Sequence, residues 1–104
     1  MTHRENLFVY GTLRNPEVQK KVFGRSMCGV PDVLMGYARS SVVIEGRPYC
    51  AIRRATGGVI RGMVLVVTKK ELGRVDAHET NAYIRIRVRL RSGRMAWVYV
   101  KHAL

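Results

Sequence analysis

Apolar residues come in short runs whose spacing changes along the chain, and each change predicts an element. Residues 7–10, Leu-Phe-Val-Tyr, form an apolar run that stops at Gly11, which predicts a first strand and a sharp turn. Asn15-Pro16-Glu17 follows with an N-cap residue, a first-turn proline and an early acid. Gly24 stands where a short helix from about Pro16 to Phe23 must end. Residues 33–37 and 41–44 are rich in β-formers, and Glu45-Gly46-Arg47-Pro48 reads as a loop that leaves Arg47 extended before the proline. Residues 58–67 are apolar on both faces for much of their length, the pattern of a central strand covered on two sides or enclosed in a barrel. Thr68-Lys69-Lys70-Glu71 is a capping box and opens a second helix with Leu72, Val75 and Glu79 on one stripe. From Ile84 to Arg91 apolar and basic residues alternate in strict period two, Ser92-Gly93 turns the chain, and Met95 to Val100 is the last strand.

Strands dominate and no sustained strand-helix-strand alternation occurs, so the prediction is an α+β fold. Its form is a small mixed, mostly antiparallel β-barrel or curled sheet with two short helices, and a Rossmann sheet is excluded. At 104 residues the chain suits one domain, residues 1–104, with one core. The longest apolar run, Met63 to Val67, is far shorter than the roughly 20 residues of a membrane span, so a soluble, unprocessed chain with no membrane contact is expected.

Charge changes the picture in one place. The net charge is +12, from 19 basic and 7 acidic residues. Arg85, Arg87, Arg89 and Arg91 would share one face of a strand, spanning about 20 Å at roughly 3.3 Å per residue. Such a face suits nucleic acid or another polyanion, and it equally suits a solvated strand protected from edge-to-edge aggregation.

Candidate chemistry is sparse. Cys28 and Cys50 stand alone, without a C-x-x-C pair, and read as reduced thiols of a cytoplasmic protein. His3, His78 and His102 lack metal-ligand spacing, so no metal or cofactor is expected. The strand, glycine turn and helix start around Gly11 would present bare amides and a helix dipole to an anion. Glu79 shares its helix face with Leu72 and Val75. Burial and the carbonyl end of the helix would raise its proton affinity toward that of a general acid/base, whereas a glutamate reaching solvent or pairing with Arg85 is the plainer alternative. Asp76 fits a supporting part, bonding backbone or an arginine at the helix end.

Tyr10-Gly11-Thr12-Leu13-Arg14, Gly62-Met63-Val64, Val75-Asp76-x-x-Glu79, Tyr83-x-Arg85 and Ala96-Trp97-Val98-Tyr99-Val100 together resemble, in order and spacing, the gamma-glutamylcyclotransferase-like family over nearly the whole chain. The resemblance implies a small barrel and an enzyme of acyltransferase or lyase type without a cofactor. In such an enzyme the alpha-amine of a gamma-glutamyl substrate attacks its own gamma-carbonyl, releasing 5-oxoproline and a free amine. It implies Glu79 as the catalytic proton carrier, with the amides of Gly11, Thr12 and Leu13 on the anionic groups and Tyr10 and Tyr83 as walls of the substrate site. The chain departs from the family pattern at Val75, His78 and Thr80, where leucine, an aromatic residue and glycine are frequent, and Asn81 is suited to the left-handed turn that a glycine would make. The alternative from another class is a non-catalytic protein of the same fold that binds a polyanion through Arg85 to Arg91.

Overall fold

The computed structural model describes residues 3–78 and 82–102. Its elements in chain order are β1 (Arg4–Val9), a 3-10 turn (Thr12–Arg14), α1 (Pro16–Phe23), β2 (Val30–Ile44), β3 (Arg47–Thr68), α2 (Lys69–His78), β4 (Tyr83–Arg89) and β5 (Met95–Lys101). The strands form one sheet in the order β2-β3-β1-β5-β4, antiparallel at every pairing except β1 with β5. None of the described helices is long and apolar enough to cross a membrane.

The helix ends follow the sequence signals. Asn15 Oδ1 accepts from the Glu17 amide at 2.9 Å, and α1 stops at Gly24. At α2 the capping box closes both ways: Thr68 Oγ1 accepts from the Glu71 amide at 3.0 Å, and Glu71 Oε1 accepts from the Thr68 amide at 2.9 Å. Arg25 donates to both carboxylate oxygens of Glu71, at 2.8 and 2.9 Å.

The β2–β3 region differs from expectation. Residues 33–37 and 41–44 belong to one 15-residue strand, and the loop shrinks to Glu45-Gly46, with Arg47 and Pro48 already paired to Ile44 and Val43. Both turn residues have positive φ, 50° and 78°, as a two-residue type I′ hairpin requires. Pro48 is tolerated because β1 starts pairing with β3 only at Met63, so β3 has a single neighbour strand at the proline. The register shifts between Met35 and Tyr37, where Gly36 alone stands opposite the four β3 residues Ala55 to Gly58. Across from it a Cβ on Gly58 would lie 2.2 Å from the Tyr37 carbonyl oxygen, so only glycine allows the two strands to pass there.

Two apolar layers explain the runs that are apolar on both faces. Phe8, Leu34, Ile60, Val64, Leu90 and Val98 fill the concave side of the sheet. Leu7, Val9, Leu65 and Val67 pack on the convex side under Phe23, Leu72 and Val75 from the helices. The edges of the curl meet where the Arg91 amide donates to the Val33 carbonyl at 2.8 Å and the Ser92 hydroxyl donates to Asp32. Burial pushes the Asp32 carboxyl up, but the Ser92 hydroxyl and the Val33 and Ser92 amides outweigh it and hold the group below its ordinary value. The result is the expected α+β fold, as a five-stranded curled half-barrel with two helices.

Two outcomes follow from these contacts. The Arg25 hydrogen bonds lower the Glu71 pKa from 4.5 to about 2, so this group stabilises the fold above pH 4.5 and loses that contribution as pH falls toward 2. Glu71→Gln keeps the capping amide bond but loses the ion pair. With Arg25 half exposed it costs about 2 kcal/mol at pH 7, and urea unfolding at pH 7 and pH 3 should show a shallower acid-side decline than in the native chain. Glu45→Asn suits the positive φ better and should raise stability by roughly 0.5–1 kcal/mol, read as a rise of a few degrees in Tm.

Candidate active site

Strand β1 delivers its last residues to one end of the curled sheet, where Tyr10 to Leu13 wall a cavity of about 350 Å³. Gly62 in β3 lets β1 come this close, since a Cβ there would fall 2.4 Å from the Val9 carbonyl oxygen and 2.7 Å from the Phe8 ring. Gly11 itself has φ −117°, and a Cβ there would meet only Cys50 at 3.9 Å. The sharp turn expected at Gly11 therefore needs no positive φ. It is made by the 3-10 turn, whose first hydrogen bond runs from the Arg14 amide to the Gly11 carbonyl at 3.1 Å. The preceding amides, Thr12 and Leu13, bond no carbonyl among the described residues. Helix α1 does not open at once after the turn, and Asn15 covers its Glu17 amide, so the bare donors belong to the loop rather than to the helix end.

The other walls come from distant parts of the chain. The β2–β3 hairpin brings Ile44, Tyr49 and Cys50, α1 brings Val18 and Val22, β4 brings Tyr83, and β5 brings Tyr99. Tyrosine hydroxyls join these walls: Tyr83 donates to the Cys50 carbonyl at 2.7 Å, and Tyr10 donates to the Tyr99 carbonyl at 2.6 Å. The five residues expected on the substrate side, Tyr10, Gly11, Thr12, Leu13 and Tyr83, thus line one cavity. Glu79, the expected proton carrier, lies outside the described residues, as do Thr80 and Asn81. Asp76, near the end of α2, accepts from the Tyr99 hydroxyl and pairs with Arg85 at 3.2 Å, which ties the last described turn of the helix to the cavity wall.

Gln19 is a contributor that the sequence did not flag. It is fully buried, donating from Nε2 to the Leu13 carbonyl at 2.9 Å and accepting from the Met27 amide at 2.8 Å, so it pins the cavity loop to the segment after α1. A glutamine on the inner face of an amphipathic helix was the available signal.

The basic strand is less uniform than its alternation suggests. Arg85 is half-buried, paired with Asp76 and stacked over the Trp97 ring at 4.3 Å, while Arg87 lies over the same ring at 5.3 Å. Strand β4 ends at Arg89, and Arg91 sits in the following turn with its amide bonded to β2. Arg87 and Arg89 are the exposed arginines of the strand proper. Among the described residues no three His, Cys, Asp or Glu side chains gather as a metal site, and both cysteines are free thiols.

Comparison with known proteins gives a consistent result. Residues 7–104 match the model of the family described as gamma-glutamyl cyclotransferase, AIG2-like. Protein AIG2 C of Arabidopsis thaliana is 37% identical over 84 residues, which cover 80% of this chain and 50% of that protein. The chain spans about half the length of the curated relatives it matches. A solution structure from Arabidopsis thaliana superimposes with a TM-score of 0.78 at 31% identity, covering 95% of this chain and 62% of the other. A gamma-glutamyl cyclotransferase structure superimposes with a TM-score of 0.79 over 96% of this chain and 68% of the other; at 16% identity it speaks for the fold alone. The half-barrel, the cavity at the end of β1 and the match over residues 7–104 agree: the chain belongs to the AIG2-like gamma-glutamyl cyclotransferase family.

Proposed function

We propose that this protein is a gamma-glutamyl amine cyclotransferase that releases 5-oxoproline. The observation that carries the reading is the shared cavity of Tyr10, Gly11, Thr12, Leu13 and Tyr83, with unspent amides on the loop side and a largely apolar wall opposite. A cavity of about 350 Å³ suits a folded gamma-glutamyl group with a small amine attached.

In this reading the loop amides take the substrate's alpha-carboxylate and fold the chain so that its alpha-amine meets its gamma-carbonyl. The new bond joins the alpha-nitrogen to the gamma-carbon, and the bond from the gamma-carbon to the leaving nitrogen breaks. Glu79 accepts a proton from the attacking ammonium and passes it to the departing nitrogen, and after the attack it relays a second proton the same way, so the lactam nitrogen keeps one hydrogen, the amine leaves protonated and the carboxylate ends as it began. The reaction uses no oxidant and no bound cofactor. Tyr83, held to the Cys50 carbonyl, and Tyr10, held to the Tyr99 carbonyl, fix the walls against which the substrate folds. A cytoplasmic setting suits the two exposed free thiols, Cys28 and Cys50.

A polyanion-binding role through the basic strand has weaker support. Arg85 is engaged by Asp76 and Trp97, and Arg91 lies beyond the strand.

The test is 5-oxoproline release from a panel of gamma-glutamyl amines and dipeptides. The native protein should turn over at least one member, and Glu79→Gln, with an unchanged thermal unfolding midpoint, should lose about a hundredfold or more in kcat. An equal rate in the variant would remove Glu79 from the chemistry.

A further inference from the structure

Charge at the cavity mouth bears on which amine leaves. No Asp, Glu, Lys or Arg side chain lines the cavity among the described residues. Two guanidinium groups nevertheless reach its wall among the described residues: Arg14 donates from Nε to the Gly11 carbonyl at 3.2 Å, and Arg39 of β2 places Nη1 3.4 Å from the Tyr10 carbonyl and 3.5 Å from Cys50 Sγ, and Gly11, Tyr10 and Cys50 all line the cavity. Arg14 lies on the loop side of the cavity and Arg39 on the hairpin side. Arg25 is neutralised by Glu71 and Arg85 by Asp76, whereas Arg39 makes no ion pair among the described residues and keeps Nε and Nη2 unspent. A guanidinium held by one nitrogen, with a free pair of donors, is built to accept a carboxylate.

The placement relative to the substrate decides which carboxylate. In the proposed reaction the gamma-glutamyl end lies at the Gly11–Leu13 loop, so the leaving amine points across the cavity to the hairpin wall of Ile44, Tyr49 and Cys50. Arg39 belongs to that same hairpin, one cross-strand diagonal from Cys50, since Arg39 pairs with Ile52 and Ser41 with Cys50. Arg39 is exposed, and a cationic leaving group would approach a positive charge that has no acidic partner among the described residues. An uncharged one would leave the guanidinium's donors to solvent.

We propose that Arg39 is a specificity-determining residue that selects gamma-glutamyl substrates whose leaving amine carries a carboxylate, with an apolar side chain of that amine resting on Ile44 and Tyr49. The assignment rests on the cyclotransferase reading and deepens it. Arg39 exchanges no proton and forms no bond; it acts on the leaving portion through charge alone.

Three substrates isolate the effect: gamma-glutamyl-leucine, gamma-glutamyl-isopentylamine, which is the same molecule without the leaving-group carboxylate, and gamma-glutamyl-putrescine, which is cationic. The native protein should favour the first over the second by about tenfold in kcat/KM, with the third slower still. Arg39→Met should bring the first ratio close to one, Arg39→Lys should keep part of it, and Arg39→Glu should turn the preference toward putrescine. Each ratio is taken within one protein preparation, so partial misfolding of a variant cancels. Measurable turnover with a native ratio near one, or a ratio that survives Arg39→Met, overturns the role of Arg39 and leaves the cyclotransferase standing. Silence with all three and with the wider panel overturns both.

Discussion

Burial of β1 on both faces is the constraint on which the rest of the structure depends. Leu7 and Val9 lie under the helices, Phe8 and Tyr10 face the concave core, and all four are nearly inaccessible. A strand covered on two sides needs a neighbour on each edge, and β1 has them: β3 antiparallel along six residues and β5 parallel at Leu7 and Trp97. The parallel pairing is what lets β1 end among residues from the far side of the chain. Had β1 been an edge strand, its terminal loop would face solvent and no cavity would form there.

The cavity is then a product of three connections that meet at one end of the sheet. Gln19 fixes the loop from the helix side, the Tyr83 hydroxyl fixes the hairpin from the β4 side, and Asp76 joins α2 to Tyr99 and Arg85. Each spans elements that the sequence separates, by 33 residues for Tyr83 and Cys50 and by 23 for Tyr99 and Asp76. Hydrogen bonds of this kind contribute only about 1 kcal/mol each, but they restrict how the walls move relative to one another, which is the requirement for a site that must fold its ligand.

The strongly basic composition is distributed rather than concentrated in one binding face. One guanidinium completes a helix cap, two stack on Trp97, and two, Arg14 and Arg39, reach the cavity wall without a carboxylate partner among the described residues. Net charge raises the local concentration of anions around the whole molecule, whereas recognition depends on where an unpaired donor meets a cavity.

The sequence by itself determined the local elements: α1 with Asn15 and Gly24 at its ends, the Thr68–Glu71 box, and the two-sided apolar strands. Those signals act over a few residues, through capping hydrogen bonds and side-chain period, so they are legible without the fold. The motif order also pointed to the family and to the residues at the end of β1. What the sequence misjudged were features set across strands. The Glu45–Pro48 loop became a two-residue turn because β2 and β3 zip up to Ile44 and Arg47. The even basic face was broken because Asp76 reaches Arg85. Only tertiary structure could gather Tyr83, Cys50 and Arg39 around Tyr10, since that depends on sheet curvature and strand order, which side-chain period does not encode.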